Sequence, residues 1–304
     1  MDRLKECILC PRECGADRLN GQIGFCGGGR SVRIARAGLH YWEEPCISGK
    51  NGSGAVFFSG CTMKCVFCQN YEISAKNYGC DISEKELADI FLSLKRQGAE
   101  NINLVTPTHY IPQIITALDM AKTDGLDIPV VYNSGGYEKA ETIKMLDGYI
   151  DIYMPDFKYY SDDIAKKYSF AANYRETAKS AFNEMYKQTG ASVMGKDGIM
   201  LRGMIIRHLM LPGRLNDTVR IINYVNKTFG NKVYFSLMSQ YTPPQRLIND
   251  DNLKEKIDMR SYHAAVGLCE RLGMENVFIQ SAESADECFI PQFFSEKCNI
   301  CKET

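Results

Sequence analysis

From about Gly54 onward the sequence alternates short apolar, β-branched or aromatic runs with longer segments of helical periodicity, and this alternation narrows the available folds more than any other feature. Strands are expected over residues 55–59, 102–105, 128–132, 149–154, 200–210, 233–237 and 277–280. Between them, Ser83 and Glu86 read as a capping box opening a helix that runs through Leu87, Ile90, Phe91 and Leu94 and stops at Gly98. Further helices are predicted over residues 111–121, 138–146, 174–188, 217–229 and 251–272. Six or seven βα units in one run imply a parallel sheet curled into a full or partial barrel, with a doubly wound open sheet as the other solution. A chain of 304 residues has ample length for one such α/β domain with a small appendage.

In parallel α/β sheets chemistry collects at the carboxyl ends of the strands. The first expected strand ends in Cys61-Thr62-Met63-Lys64-Cys65-Val66-Phe67-Cys68. The next ends carry Thr106-Pro107-Thr108-His109, then Asn133-Ser134-Gly135-Gly136, then Asp156-Phe157-Lys158, Arg207-His208, and Ser239-Gln240-Tyr241. Thiolates are soft ligands that select zinc or iron–sulfur clusters. A structural zinc site wants a fourth nearby ligand, which Gln69, Asn70 and Tyr71 do not supply, whereas three cysteines suit a four-iron cluster with one open iron. The plainer alternative is a set of core cysteines or half of a zinc site.

Net charge is −1 with four histidines, so no overall basic field points to nucleic acid and only a local patch is left for it. The first six residues lack the apolar core of a signal peptide and no apolar run reaches the length of a membrane span, so the cytoplasm is expected. Thirteen cysteines, an odd number in a long chain, then read as ligands in a reducing compartment rather than as a disulfide framework. Cys7, Cys10, Cys14 and Cys26 form a compact set with little apolar periodicity around them; four thiolates on one centre, zinc or an auxiliary iron–sulfur cluster, would supply folding free energy the segment lacks. Cys288, Cys298 and Cys301 are a third set, either metal-binding or part of a mobile tail, and Cys46, Cys80 and Cys269 stand singly.

The spacing C-x3-C-x2-C after a strand, with Phe67 inside it, resembles the signature of the radical S-adenosylmethionine (SAM) superfamily. Cys10-Pro11-Arg12-Glu13-Cys14-Gly15, Gly24-Phe25-Cys26, Glu43-Glu44-Pro45, Asn103 to His109, Met154 to Lys158 and Ser236 to Tyr241 narrow it: the chain resembles uncharacterised homologues of the pyruvate formate-lyase activating enzyme. That resemblance implies an α/β fold, a partial (β/α)6 TIM-like barrel over residues 51–285, with a Cys-rich metal-binding segment over 1–50 and a tail over 286–304. It implies a 4Fe-4S cluster on Cys61, Cys65 and Cys68 that cleaves SAM reductively to a 5′-deoxyadenosyl radical for hydrogen abstraction. Asp156 and Lys158 would lie near SAM and a monovalent cation, Arg207 would pair with the SAM carboxylate, and Asn133 and Ser134 would lie near its ribose. Thr106, Thr108 and Gln240 complete the expected SAM contacts. Read from residue type alone, Asp156 is equally a helix cap, Lys158 a solvated lysine and Arg207 one half of a surface ion pair.

The implied partners are a reductant such as flavodoxin or ferredoxin and a glycyl-radical enzyme as protein substrate. Two departures set the chain apart from the activases: Thr106-Pro107-Thr108-His109 stands where they carry a Gly-Gly-Glu-like motif, and the extra cysteines precede the cysteine loop. Within catalysis the rival is radical modification of a small metabolite, a peptide or RNA, with His109, His208 or Tyr241 as candidate proton or electron donors, against the plainer and commoner reading that isolated histidines at strand ends are satisfied by neighbours. Outside catalysis it is an electron carrier or scaffold, which needs no SAM.

Overall fold

Ten strands form one sheet in the computed structural model, which describes residues 2–247, 250 and 252–280. They are β1 (Val32–His40), β2 (Ser53–Phe58), β3 (Cys80–Ile82), β4 (Ile102–Val105), β5 (Val130–Ser134), β6 (Ile152–Pro155), β7 (Val193–Met194), β8 (Met200–Leu209), β9 (Tyr234–Met238) and β10 (Val277–Ile279). The order β10-β9-β8-β6-β5-β4-β2-β1-β3 runs parallel from β10 to β2, while β1 pairs antiparallel with both β2 and β3, and β7 pairs antiparallel with β8. The sheet is not closed: β10 and β3 are its two ends. It is the parallel α/β architecture expected, in partial rather than full barrel form.

The helices are α1 (Pro45–Ser48), α2 (Tyr71–Ser74), α3 (Glu84–Arg96), α4 (Ile111–Thr123), α5 (Ala140–Ile143), α6 (Asp162–Ser169), α7 (Tyr174–Thr189), α8 (Leu215–Phe229) and α9 (Met259–Arg271). The Ser83 capping box is present, its hydroxyl accepting from the Glu86 amide while the Glu86 carboxylate accepts from the Ser83 amide. Because strand side chains alternate in direction, Val56, Leu104, Tyr132, Tyr153 and Ile206 pack with the apolar faces of the long helices. Their neighbours Val131, Ile152, Met154 and Ile205 turn to the other face, where Cys46 and Ile47 of α1 cover them.

Besides α1, α2, α6, β3 and β7, where no element was expected, three elements differ from the sequence reading. The helix expected over 138–146 is only the single turn of α5 followed by a 3-10 turn at Lys144–Leu146, because Glu138 is drawn into the interior by hydrogen bonds from Thr108 and Tyr132. The helix expected from residue 251 begins at Met259, where the Asp258 carboxylate caps the Arg260 and Ser261 amides; Asp251 itself lies outside the described residues. Finally β1, where no strand was expected, sits between β2 and β3.

Candidate active site at the strand ends

The cysteine loop leaves β2 at Gly60, whose φ is +85° and whose amide donates to Ile73. A Cβ there would stand 2.3 Å from the Cys26 carbonyl oxygen, so only glycine lets the loop pass this close. The Cys61 amide then donates to the same carbonyl at 3.0 Å, tying the loop to the N-terminal cysteine segment. Each sulfur of the loop accepts a hydrogen bond: Cys61 from the Met63 amide at 3.3 Å, Cys65 from the Ser169 hydroxyl at 2.9 Å and Cys68 from the Ser74 hydroxyl at 3.3 Å. Burial pushes the Cys61 thiol up to about 12, so a cation is needed to hold it as a thiolate.

Beside this loop opens a cavity of about 830 Å³. It is lined by Cys61, Cys65 and Cys68 and by every one of Thr106, Thr108, Asn133, Ser134, Asp156, Lys158, Arg207 and Gln240. Register explains the convergence. Phe57, Val105, Asn133 and Met154 are paired across β2, β4, β5 and β6, and one step further along Asp156 bridges Arg207, which pairs with Ser236 of β9.

Asp156 is neither a helix cap nor a surface residue. Its Oδ1 accepts from Arg207 Nε at 2.9 Å and its Oδ2 from Lys158 Nζ at 2.6 Å, with about a sixth of each side chain exposed. Burial alone would raise the Asp156 carboxyl, but Arg207 and Lys158 outweigh it and hold it below its ordinary value. Burial likewise works against the Lys158 ammonium, and Asp156 and Cys65 more than offset it. Arg207 also donates from Nη2 to Asn133 Oδ1 at 2.7 Å and from Nη1 to Glu43 Oε2 at 3.1 Å. Glu43 and Glu44, which enter the cavity on the strap between β1 and α1, are pushed up first by burial. Sequence reasoning quoted this pair only as part of a resemblance and missed it as a site element, because the strap precedes the first strand it could recognise.

Thr106 holds φ at +61°, where a β-branched residue pays about 1–2 kcal/mol, and its amide donates to the Asn133 carbonyl at 2.8 Å. Thr108 donates from its hydroxyl to Glu138 at 2.7 Å; burial pushes that carboxyl up to about 7.

The three candidate proton or electron donors are held in different ways. His208 faces α8, with Nδ1 2.7 Å from the Phe157 carbonyl and Nε2 2.9 Å from the Thr218 hydroxyl, and burial pushes it down to about 4. His109 is buried against the Ser59 carbonyl at 2.8 Å and pushed down to about 3 by burial. Neither lines the cavity. Tyr241 does, but its hydroxyl donates to the Leu253 carbonyl at 2.7 Å.

At the N-terminus Cys7, Cys10 and Cys26 are buried and Cys14 is exposed. The Gly28 amide donates to Cys26 Sγ at 3.4 Å, and Cys14 Sγ packs so close to Gly24 that a Cβ there would stand 2.4 Å from it. Arg18, 1% exposed, donates to the Gly29 and His109 carbonyls and lies 3.7 Å from Cys7 Sγ; among the described residues it has no carboxylate partner. As the side chains stand, no three His, Cys, Asp or Glu groups among the described residues are gathered closely enough to hold an ion. Cys288, Cys298 and Cys301 lie outside the described residues. No helix among the described residues is long and apolar enough to cross a membrane.

Comparison with known proteins places this geometry. The chain is 28% identical to an uncharacterised protein of Methanocaldococcus jannaschii, over 90% of its own length and 77% of the relative's. Its fold matches that of SuiB of Streptococcus suis, solved bound to precursor peptide SuiA, with a TM-score of 0.50 and 13% identity over 73% of this chain and 46% of that one. It also matches the FeFe-hydrogenase maturase HydG with a TM-score of 0.50 and 14% identity over 75% of this chain and 52% of that one. The chain thus spans about half the length of either solved protein. Residues 55–202 match the model of the Radical SAM superfamily, a stretch that holds the cysteine loop and the strand ends from β2 to β6.

Proposed function

We propose that this protein is a radical SAM enzyme in which Cys61, Cys65 and Cys68 hold a 4Fe-4S cluster and the adjoining cavity receives SAM and a substrate. The observation that carries the reading is the convergence of eleven residues, expected from five separate strand ends and the cysteine loop, on one cavity wall. The donor set fits the cluster: three soft ligands, each accepting a hydrogen bond that offsets negative charge on sulfur. When bound, the cluster and SAM supply a 5′-deoxyadenosyl radical for hydrogen abstraction.

The chain's own residues bind and orient. Lys158 and Arg207 present buried cationic N–H groups to a carboxylate, with Asp156 fixing both. Thr106, Thr108, Asn133, Ser134 and Gln240 offer hydroxyl and amide groups to an amino acid and a ribose. A monovalent cation beside Asp156 and a flavodoxin or ferredoxin as reductant complete the proposal. Cys7, Cys10, Cys14 and Cys26 would be the ligands of a second metal centre, zinc or iron–sulfur, once their side chains turn toward one point. A four-thiolate site on either is net anionic, which gives the buried Arg18 guanidinium the counter-charge it otherwise lacks. An electron carrier has no use for a cavity of about 830 Å³ beside its cluster.

The substrate reading nearest to the sequence motifs is a glycyl-radical enzyme, activated by hydrogen abstraction from its glycine. The test has two stages. Anaerobically reconstituted, reduced protein should convert SAM to 5′-deoxyadenosine and a Cys65→Ala variant should not; no product from protein with a verified, reducible cluster refutes radical chemistry. A glycyl-radical EPR signal on a glycyl-radical enzyme from the same organism then supports activation, and its absence on every such enzyme refutes that finer reading alone.

A further inference from the structure

Five cations surround the outer side of the cysteine loop. Arg12 and Arg246 hold its backbone from either end: Arg12 Nε donates to the Thr62 carbonyl at 2.9 Å, and Arg246 donates from Nε and Nη2 to the Val66 and Cys68 carbonyls at 2.9 and 2.8 Å. Lys64 lies within the loop, its Nζ 5.1 Å from the centre of the Phe25 ring on which Arg12 stacks. Lys166 and Lys167 are exposed in the last turn of α6, and the segment that follows them is bonded to the loop by the Val66 amide on the Tyr168 carbonyl at 2.9 Å and by the Ser169 hydroxyl on Cys65.

None of the five forms an ion pair with a described residue. The acids near them are occupied elsewhere: Glu13 by Lys139, Asp162 at the far end of α6 by Arg175, and Asp250 by the Asn252 and Leu253 amides. With a net charge of −1 the chain as a whole does not attract anions, so attraction is confined to a patch of this kind. Phe170, 49% exposed, packs edge-on to Phe25 at 6.3 Å and gives the patch an apolar centre. A small apolar centre ringed by like charges suits a brief encounter with a partner of opposite charge, the usual character of electron-transfer contacts.

We infer that this face is the docking surface of an acidic electron-carrier protein. The inference deepens the proposed function and rests on the cysteine loop holding the cluster. The inner side of the loop lines the cavity, where SAM and substrate are proposed to sit, so a protein donor approaches from the outer side. One electron leaves the carrier, which is oxidised, and enters the cluster on Cys61, Cys65 and Cys68, which is reduced; no bond forms or breaks. Cations wrapped around the loop itself, two of them bonded to its carbonyls, favour a carrier over a nucleic acid.

The test uses the full chain reconstituted anaerobically with iron and sulfide and mixed by stopped flow with excess flavodoxin hydroquinone or reduced 2Fe-2S ferredoxin, while bleaching of the cluster is followed. The second-order rate constant should fall at least tenfold between about 30 and about 500 mM salt. At the lower salt it should also fall roughly tenfold or more in Lys166→Glu/Lys167→Glu. Lys227→Glu/Lys232→Glu makes the same charge change at the other end of the sheet, before β9, and should keep the wild-type rate. Reduced methyl viologen, too small to need a docking face, should lose no rate in either variant. Should the double reversal fold poorly, Lys166→Gln/Lys167→Gln shows a smaller loss in the same direction. No loss in the patch variants, an equal loss in Lys227→Glu/Lys232→Glu, or failure of both carriers to reduce a cluster that the viologen reduces overturns the inference. So does salt-sensitive binding of a single-stranded RNA, read by fluorescence anisotropy, that Lys166→Glu/Lys167→Glu abolishes, which assigns the patch to nucleic acid. The same preparations are scored for 5′-deoxyadenosine after SAM is added. Patch-dependent reduction without that product refutes the radical reading and supports the docking surface; the product formed with dithionite, with patch-independent reduction by the carriers, refutes the docking surface alone.

Discussion

Replacing Asp156 by asparagine preserves the volume of the side chain and removes one charge from between two cations. In the wild type Oδ1 and Oδ2 accept from Arg207 Nε and Lys158 Nζ at 2.9 and 2.6 Å. Hydrogen bonds to charged groups contribute about 1.5–3 kcal/mol each. The amide can keep one of the two by its oxygen, but must then turn its NH2 toward the other cation, and among the described residues Lys158 has no second carboxylate bond to fall back on. Arg207 is less affected because Glu43 and Asn133 still accept from it. The net loss should be about 3 kcal/mol, within the range for breaking one side of a buried pair, and at about 2 °C per kcal/mol for a large chain it lowers Tm by about 6 °C. Urea unfolding of metal-free protein checks it, with Lys158→Met closing a double-mutant cycle that should show coupling of at least about 1 kcal/mol. The pH dependence is fixed in sign. Asp156 titrates below its ordinary value in the folded state, so its contribution is complete above about pH 4 and fades as pH falls through the lower folded value. An Asp156→Asn protein within about 1 kcal/mol of wild type at pH 7, or additive single variants, would refute the reasoning.

Glu138 should act in the opposite sense: with its folded value raised to about 7 by burial, wild-type stability falls by roughly 3 kcal/mol between about pH 4.5 and pH 7 and then levels, and Glu138→Gln removes that slope in a urea series across pH 5–8. Gly60→Ala forces a Cβ to 2.3 Å from the Cys26 carbonyl at a φ of +85°; it should cost more than about 1 kcal/mol and lower the iron bound on reconstitution, read by melting and by metal analysis. Ser169→Ala deletes the 2.9 Å hydrogen bond to Cys65 Sγ, which favours the more negative reduced cluster, so spectroelectrochemical titration should find the potential lowered by roughly tens of millivolts.

What the sequence made legible follows from where information is local. The cysteine loop, Asn133, Asp156 and Arg207 all follow recognisable parallel strands, and position at a strand's carboxyl end says which way a residue leads before any contact is known. Parity was harder. Arg207 and His208 are adjacent, yet one enters the cavity and the other packs against α8, because a one-residue step changes the face of the sheet. The sequence leaves a strand-end histidine open between donor and packed side chain, and the face His208 takes is set by the register with β9, which pairs Arg207 with Ser236 and His208 with Leu237. Glu43 and Glu44 were illegible as cavity residues for a different reason. Their place depends on β1 pairing antiparallel with β2 and on α1 covering the sheet's far face, both non-local facts that no period reports.

The N-terminal cysteine segment is not an appendage to the cysteine loop, and the bonds between them argue that the two form one unit. Arg12 Nε donates to the Thr62 carbonyl at 2.9 Å and Nη2 to the Ser169 carbonyl at 3.1 Å, with Nη1 on the Phe170 carbonyl, while its guanidinium stacks 4.0 Å from the centre of Phe25. Ser169 is the residue whose hydroxyl reaches Cys65, and its own oxygen meets the Tyr159 hydroxyl at 2.5 Å. From the other side the Cys26 carbonyl accepts from the Cys61 amide, across the space that Gly60 leaves open. Arg12 lies between Cys10 and Cys14, so any reorganisation of those four cysteines moves the carbonyls and hydroxyl that frame the cysteine loop. A centre bound at Cys7, Cys10, Cys14 and Cys26 would act on the radical site through this frame, by holding its donors in place, whether or not an electron ever passes between the two.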